Sequence, residues 1–395
     1  MSSQPSHIIS PGRRFLLTLS SALLFLGMES IFSLAPSFAA SEIYFRYAAF
    51  EESLPVKDLR TYAETQKASS QLKHLLSFVG SENQSAVREV LQVKLPLNIV
   101  TVDKLLETDL GKKILSEVVK VTIRRDKAGV QALRAASILG THSPEGLSLI
   151  SFLEAYPSTR ITFDLRQAPK LIDFMFGDQS QLHLNSISSQ NLFSDHLSSA
   201  PWWQLAVEYQ NIDTQGKQYY GCLFGDSISS GVGNTLGEQI YNFALPGLST
   251  TSLVEQIKTL IPANVRCQNA IIAIGTNDAM YGISDALFIK QMEETIAIVQ
   301  SLGTKKLILI PAFYSTVAAS YNPKLAGTIP RVEEINALIR QVAATEKLPI
   351  EAEGIQTLFK NRALKENLTN DGVHLNAEGI EIYRQALLKI LNYTH

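Results

Sequence analysis

The sequence contains 395 residues, of which 45% are hydrophobic and 18% are charged, and its formal net charge is −2. A chain of this length and composition can build two or three domains with substantial cores. The nearly balanced charge gives no electrostatic basis for binding nucleic acid, so no nucleic-acid partner is expected. The seven histidines and two cysteines show no zinc-binding spacing such as C-x-x-C or H-E-x-x-H. We therefore expect neither a metal nor a cofactor.

Residues 1–39 have the pattern of an export signal peptide. A basic pair at 13–14 precedes an apolar run over 15–27, and small residues at 37 and 39 suit cleavage near Ala39 or Ala40. The apolar run is shorter than the roughly 20 residues that a membrane-spanning helix needs. We expect a periplasmic, secreted or lumenal protein, with an N-terminal membrane anchor as the alternative.

Residues 40–176 show mostly helical periodicity and predict a small all-α domain without a catalytic constellation. Segments such as Ser53-Leu54-Pro55-Val56 and Leu95-Pro96-Leu97 resemble a helical domain of unknown function that precedes hydrolase domains in exported proteins of photosynthetic bacteria. That resemblance assigns no role to any residue, and a protein partner of this domain stays unknown. Residues 177–215 are rich in Ser, Gln and Asn and predict a polar linker.

Residues 216–395 alternate strand-like and helical runs, which predicts a catalytic domain built on a parallel sheet covered by helices on both faces. Five strands in this length suit a flavodoxin-like three-layer α/β/α sandwich with strand order 2-1-3-4-5. Ligands in such sheets bind beyond the carboxyl ends of the strands, where the order reverses. The predicted strands are Gln218–Phe224, Gln239–Ala244, Asn269–Gly275, Lys305–Pro311 and Leu348–Ala352.

Polar and glycine residues follow the first three strands, where such a ligand would lie. Ser227 follows strand 1, Gly247 follows strand 2 and Asn277 follows strand 3. A serine hydroxyl becomes a nucleophile when a base takes its proton. His374 is the candidate base, and Asp371, three residues earlier, can orient its imidazole. The N–H groups of Ser227 and Gly247 and the amide of Asn277 are candidate donors of an oxyanion hole.

The blocks Gly225-Asp226-Ser227, Gly275-Thr276-Asn277-Asp278 and Asp371-Gly372-Val373-His374 resemble those of the SGNH, or GDSL-like, hydrolase family. The resemblance covers residues 218–395, with departures at Ile228 and Pro246 that touch packing and pocket shape. It implies the same roles: Ser227, His374 and Asp371 as catalytic residues and Ser227, Gly247 and Asn277 as the oxyanion hole.

The sequence thus predicts an exported serine esterase or lipase-like enzyme. Its substrate would be a small-molecule, lipid or glycan ester with an acyl or acetyl group, with the membrane as a neighbouring surface. A non-catalytic docking protein that uses the helical domain and an O-acyltransferase that uses the same three residues are the alternatives. An ordinary α/β-hydrolase is excluded because the chain contains no G-x-S-x-G pentapeptide.

Export would permit a disulfide between Cys222 and Cys267. Aligning the two strands at their carboxyl ends, before Ser227 and Asn277, offsets the cysteines by about five residues, or roughly 16 Å. We therefore expect no disulfide between them.

Overall fold

The computed structural model describes residues 40–77, 84–92, 94–95, 97–144, 146–176, 195 and 197–392. The predicted signal peptide and linker residues 177–194 and 196 lie outside these ranges. The chain divides into two compact units, the first formed by residues up to 180 together with 200–209 and the second by residues 181–199 together with 210–395. No helix in the described ranges is both long and apolar enough to cross a membrane.

The first unit contains a three-stranded sheet as well as helices. Strands β1 (Glu42–Tyr47) and β2 (Phe50–Pro55) form an antiparallel hairpin, and β3 (Arg160–Asp164) runs parallel to β1, giving the order β2-β1-β3. Eight helices lie in the described part of this unit: α1 (Val56–Thr65), α2 (Ser70–Ser77), α3 (Gln84–Gln92), α4 (Ile99–Glu107), α5 (Asp109–Val118), α6 (Lys127–Thr141), α7 (Leu149–Glu154) and α8 (Ala168–Phe176).

The prediction of an all-α domain is therefore wrong, although the helices that it rested on are present. Strand β2 reads Phe-Glu-Glu-Ser-Leu-Pro and lacks the apolar alternation that marks a strand in sequence. Its conformation depends on pairing with β1, and β1 depends in turn on β3, which lies more than 100 residues away in the chain. Pairing over that separation leaves no local signature.

The predicted linker contains a 14-residue helix, α9 (Pro201–Thr214). A proline at the first helical position is favourable because its missing N–H would have no intrahelical partner there. Residues 200–209 belong to the first unit and residues 210–214 to the second. The linker prediction is thus corrected for residues 201–214. The Ser-, Gln- and Asn-rich residues before them dominated the composition of the predicted linker, whereas the helix itself buries Trp203, Leu205 and Val207.

The second unit contains a parallel sheet with the order β5-β4-β6-β7. Its strands are β4 (Gln218–Gly225), β5 (Ile240–Asn242), β6 (Arg266–Ala273) and β7 (Lys306–Ile310). This order confirms the predicted arrangement 2-1-3-4. The predicted fifth strand is reduced to a single parallel bridge between Leu309 and Ile350. Pro349 precedes this bridge and has no N–H to donate, which limits the ladder.

Helices cover both faces of this sheet. The row Leu223–Ile271–Ile308 is buried in a core with Tyr383 and Leu387, and the adjacent row Phe224–Ile272–Leu309 is buried on the opposite face. Successive residues of a strand point to opposite faces, so burial of both rows requires two helical layers. The helices are α10 (Ser227–Ser230), α11 (Thr250–Lys258), α12 (Thr276–Tyr281), α13 (Asp285–Ser301), α14 (Val317–Ser320), α15 (Ile329–Glu346) and α16 (Ala377–Leu391). The flavodoxin-like α/β/α architecture is confirmed.

Cys222 and Cys267 form a disulfide, with their Cα atoms 5.8 Å apart, so the expectation of unpaired cysteines is wrong. The error came from aligning β4 and β6 by the positions of Ser227 and Asn277. In the structure Cys222 pairs with Ala270, which reduces the offset from Cys267 to three residues. The ladder also skips the pair between its Tyr219–Cys267 and Gly221–Asn269 rungs. A regular three-residue offset would still correspond to about 10 Å, and the sheet gives no further account of the closer approach.

Candidate active site

Ser227 lies at the first turn that follows β4, at the carboxyl edge of the sheet. Asp226 caps α10 by accepting a hydrogen bond from the N–H of Ile228 at 3.0 Å. Gly225 must be glycine because a Cβ at this position would lie 2.7 Å from the carbonyl oxygen of Ala273 in the neighbouring strand. Gly225 therefore lets β4 and β6 approach closely at their carboxyl ends, two residues before Ser227.

Asp371, His374 and Ser227 form a continuous chain of hydrogen bonds. Nδ1 of His374 lies 2.7 Å from Oδ2 of Asp371, and Nε2 of His374 lies 3.0 Å from Oγ of Ser227. The other carboxylate oxygen, Oδ1 of Asp371, accepts the N–H groups of Val373 at 2.9 Å and His374 at 2.8 Å. These backbone bonds fix the carboxylate, which in turn directs Nε2 of His374 toward Ser227. The structure thus brings together the three side chains that the sequence singled out.

The local electrostatics favour a basic imidazole beside an ionised carboxylate. The hydrogen bond that His374 donates to Asp371 and the negative charge of Asp371 raise the pKa of His374 above its ordinary value of 6.5, against the opposing effect of burial. Burial alone would raise the pKa of Asp371, but the hydrogen bond and charge of His374 lower it to about 2. The side chains of His374 and Asp371 keep 49% and 40% of their surface exposed, so water reaches both.

The three predicted oxyanion donors follow adjacent strands of the sheet: the N–H of Ser227 follows β4, the N–H of Gly247 follows β5 and the amide of Asn277 follows β6. Gly247 adopts a left-handed backbone with φ of 77°, which favours glycine. In the described part of the chain neither its N–H nor that of Ser227 has an acceptor. Nδ2 of Asn277 donates one hydrogen to the carbonyl of Leu248 at 2.9 Å, which leaves its second hydrogen available. All three predicted oxyanion donors are therefore present with unused hydrogens.

Helix α12 holds the Gly247 loop through three side chains. Asn277 bonds the carbonyl of Leu248, and the hydroxyl of Tyr281 donates to the carbonyl of Gly247 at 3.0 Å. The buried carboxylate of Asp278 accepts the N–H of Thr250 at 3.0 Å and the hydroxyl of Thr250 at 2.6 Å. The sequence analysis missed Asp278 and Tyr281 as positioning residues. Their places on the helix that begins with Thr276-Asn277, one and four positions after Asn277, were the available signal.

Asp278 is fully buried, and loss of hydration raises its pKa to about 7, while bonds from Thr250 oppose that rise. The hydroxyl of Thr250 lies 2.6 Å from Oδ1 of Asp278 and 2.9 Å from Oε1 of Gln291, but it has only one hydrogen. When Asp278 is ionised, this hydrogen goes to Asp278. When Asp278 is protonated it donates to Thr250 instead, and the hydrogen of Thr250 can go to Gln291.

We predict that the carboxyl group of Asp278 lowers the free energy of unfolding at neutral pH. A pKa that is higher in the folded than in the unfolded chain contributes stability at low pH, which is lost as pH rises from about 4 to about 7. The slope is at most ~1.4 kcal/mol per pH unit for one group. Asp278→Asn keeps the carbonyl acceptor and should flatten this part of the profile, as measured by denaturant unfolding at several pH values. An unchanged slope would contradict the assignment, and Asp285→Asn, at an exposed site, is the matched control.

Two known protein families match parts of this chain. Residues 223–382 match the GDSL-like lipase/acylhydrolase family, and residues 39–164 match a family described as an alpha/beta hydrolase of unknown function, DUF1400. A comparison with curated proteins found no match. The C-terminal part of the chain is a GDSL-like lipase/acylhydrolase domain. The protein is accordingly an ester-hydrolysing enzyme.

Solved structures similar to this chain include three that are described as lipases, acylhydrolases or G-D-S-L family members. A GDSL-like lipase from Bacteroides thetaiotaomicron is 16% identical over 46% of this chain and 94% of its own, with a TM-score of 0.39. A lipase/acylhydrolase from Enterococcus faecalis is 22% identical over 44% and 95%, with a TM-score of 0.36. A member of the lipolytic G-D-S-L family from Veillonella parvula is 17% identical over 45% and 100%, with a TM-score of 0.34.

Proposed function

We propose that the protein is a serine esterase that cleaves acyl or acetyl esters through a covalent acyl-enzyme on Ser227. The observation that carries this proposal is the unbroken chain of hydrogen bonds from Asp371 through His374 to Oγ of Ser227. With a proton on Nδ1, His374 donates to Asp371 and its Nε2 accepts from Ser227, which is the tautomer that a general base requires.

The reaction follows from these contacts. Oγ of Ser227 attacks the ester carbonyl while its proton passes to Nε2 of His374, and Asp371 stabilises the resulting imidazolium. The oxyanion of the tetrahedral intermediate accepts the N–H groups of Ser227 and Gly247 and the free amide hydrogen of Asn277. The intermediate collapses as the alcohol leaves with the proton from His374. Water then attacks the acyl-enzyme while His374 takes its proton. The second tetrahedral intermediate collapses as His374 returns the proton to Oγ of Ser227, which releases the carboxylic acid.

Transfer of the acyl group to an alcohol would use the same residues and is the second candidate. The half-exposed His374 favours hydrolysis, because bulk water reaches the base that must activate the second nucleophile. Incubation of the enzyme with an ester and a tenfold range of glycerol concentrations separates the two. A hydrolase should release free acid at a rate that does not depend on glycerol, and a transferase should form the glycerol ester.

The contacts of the catalytic residues select an ester bond but neither a particular acyl group nor a particular alcohol. The loop before α14 joins the Asp371–His374 segment, because the N–H of Thr316 donates to the carbonyl of Gly372 at 2.8 Å. Val317, the first residue of α14, is 52% exposed, and Tyr321, which directly follows α14, is 83% exposed. We propose that they border the acyl group. Nitrophenyl esters with acyl chains of 2 to 12 carbons would identify the preferred length, and failure to cleave any of them at any pH would contradict the esterase proposal.

We also propose that the protein is exported after cleavage near Ala39 or Ala40. The Cys222–Cys267 disulfide supports this, because disulfides persist mainly in oxidising compartments. N-terminal sequencing of protein recovered from a bacterial periplasm should begin at residue 40 or 41. Recovery of the full-length chain only from the cytoplasm would contradict export, and recovery of it in the membrane fraction would support an anchor instead.

Loss of one oxyanion donor should slow turnover strongly without preventing acylation. Asn277→Ala is expected to lower kcat by on the order of 10²-fold, the usual cost of one such donor. Tyr281→Phe removes the bond that holds the carbonyl of Gly247 and should cost less, with KM nearly unchanged. Tyr47→Phe, at a site in the first unit that is 61% exposed, is the matched control and should behave as wild type. Equal kcat in wild type and Asn277→Ala would remove Asn277 from the oxyanion hole.

A further inference from the structure

A cleft in the first unit, separate from the Ser227 site, has the composition of an anion-binding site. It has a volume of about 440 Å³ and lies among helices α1, α2 and α3. Among the described residues, its lining contains two cations and no carboxylate. The lining residues are Tyr62, Gln66, Ala68, Lys73, Leu76, Gln84 and Arg88.

Arg88 is the unusual member of this lining. Its Nε is buried and has no hydrogen-bond partner. A buried donor without an acceptor is unfavourable, and more so when the group is charged. Two other arginines of this unit that are shielded from solvent are paired with carboxylates, Arg60 with Glu154 at 2.7 Å and Arg134 with Asp103 at 3.0 Å. Within the described residues neither Arg88 nor Lys73 has such a partner. The cleft therefore holds positive charge that the described residues leave uncompensated.

The other lining groups are used to build the walls. The hydroxyl of Tyr62 donates to the carbonyl of Gln84 at 3.2 Å, which ties α1 to the start of α3. The side chain of Leu76 is buried and supplies an apolar surface, while Lys73 is exposed. The cleft thus combines a half-buried arginine whose Nε has no partner, an exposed ammonium and an apolar wall.

We propose that this cleft binds an organic anion, with a carboxylate or phosphate group held by Arg88 and Lys73 and a short apolar part against Leu76 and Tyr62. A guanidinium presents N–H donors in a planar fork that fits either group. An inorganic ion is comparable in size to a few water molecules, each of which occupies about 30 Å³. It would therefore fill only a small part of the 440 Å³ cleft. The apolar wall would then have no partner, so a ligand with an organic part fits better.

Calorimetric titration of the full chain with octanoate, octyl phosphate and the neutral octanol tests this proposal. Either anion should bind with one equivalent, more weakly as salt rises, and octanol should not bind. Arg88→Gln and Lys73→Gln should each weaken binding by roughly tenfold or more, the usual effect of losing a hydrogen bond to a charged group. Lys57→Gln makes the same charge change on α1 outside the cleft and should bind as wild type. The tighter of the two anions identifies the group that the site prefers.

Three outcomes would overturn the proposal. The first is that neither anion binds the wild-type chain. The second is that octanol binds as tightly as octanoate. The third is that both cleft variants keep wild-type affinity, which would place the ligand at another site, such as Ser227. Lys73 is exposed, so Lys73→Gln should fold even if Arg88→Gln does not, and together with the salt dependence it decides the question.

Discussion

Ser227→Ala is expected to reduce ester hydrolysis by several orders of magnitude and to abolish covalent labelling by a fluorophosphonate. Ser227 is the residue whose Oγ lies 3.0 Å from Nε2 of His374, so its loss removes the nucleophile while the base and the oxyanion donors remain. Those remaining groups and substrate binding leave a residual rate on the order of 10³-fold over water, as in other serine hydrolases. The side chain is only half-buried, and we expect the fold to be unaffected.

The matched control for this variant is Ser230→Ala, which removes another half-buried hydroxyl from the same short helix. It should keep both labelling and turnover. If Ser227→Ala retained wild-type hydrolysis in a preparation free of contaminating esterases, the nucleophile would lie elsewhere and the proposed mechanism would fail. Labelling that persists in Ser227→Ala but disappears in Ser230→Ala would have the same meaning.

Asp371→Asn is expected to lower kcat by about 10³–10⁴-fold, because the amide would stabilise the wrong tautomer of His374. The carbonyl oxygen of Asn can replace Oδ1 of Asp371 as acceptor of the N–H groups of Val373 and His374. Its amide nitrogen would then face Nδ1 of His374, which must become an acceptor. The ring proton moves to Nε2, and the base can no longer receive the proton of Ser227.

The pH profile gives this variant a second measurement. Because the hydrogen bond and charge of Asp371 raise the pKa of His374, the kcat/KM of the wild type should fall on acidification with an apparent pKa above 6.5. Loss of that partner should move the acid limb of the residual activity of Asp371→Asn to lower pH. An acid limb at the same pH in both enzymes would mean that another group controls it. Asp371→Asn with more than a tenth of wild-type kcat would show that Asp371 does not orient the base.

The two halves of the chain differ in how far they could be predicted. The parallel order of β4 to β7 was predictable because strand-like and helical runs alternate in this half of the chain, a pattern typical of a flavodoxin-like sheet. The sheet of the first unit was missed because β1 pairs with β3 across more than 100 residues and β2 has a polar sequence. Helix α9 was missed because the Ser-, Gln- and Asn-rich residues before it dominated the composition of the predicted linker.

The sequence by itself determined which residues stand at the candidate site, since a serine, a glycine, an asparagine and an Asp-x-x-His pair each follow a recognisable element. Tertiary structure alone decided the geometry that makes them a site: the 3.0 Å contact between His374 and Ser227 joins residues 147 positions apart. Tertiary structure alone also decided the hydrogen bonds of Asp278 and Tyr281 to the Gly247 loop and the pairing of Cys222 with Cys267. Register, packing and hydrogen bonds between distant segments fix these distances, and no local pattern encodes them.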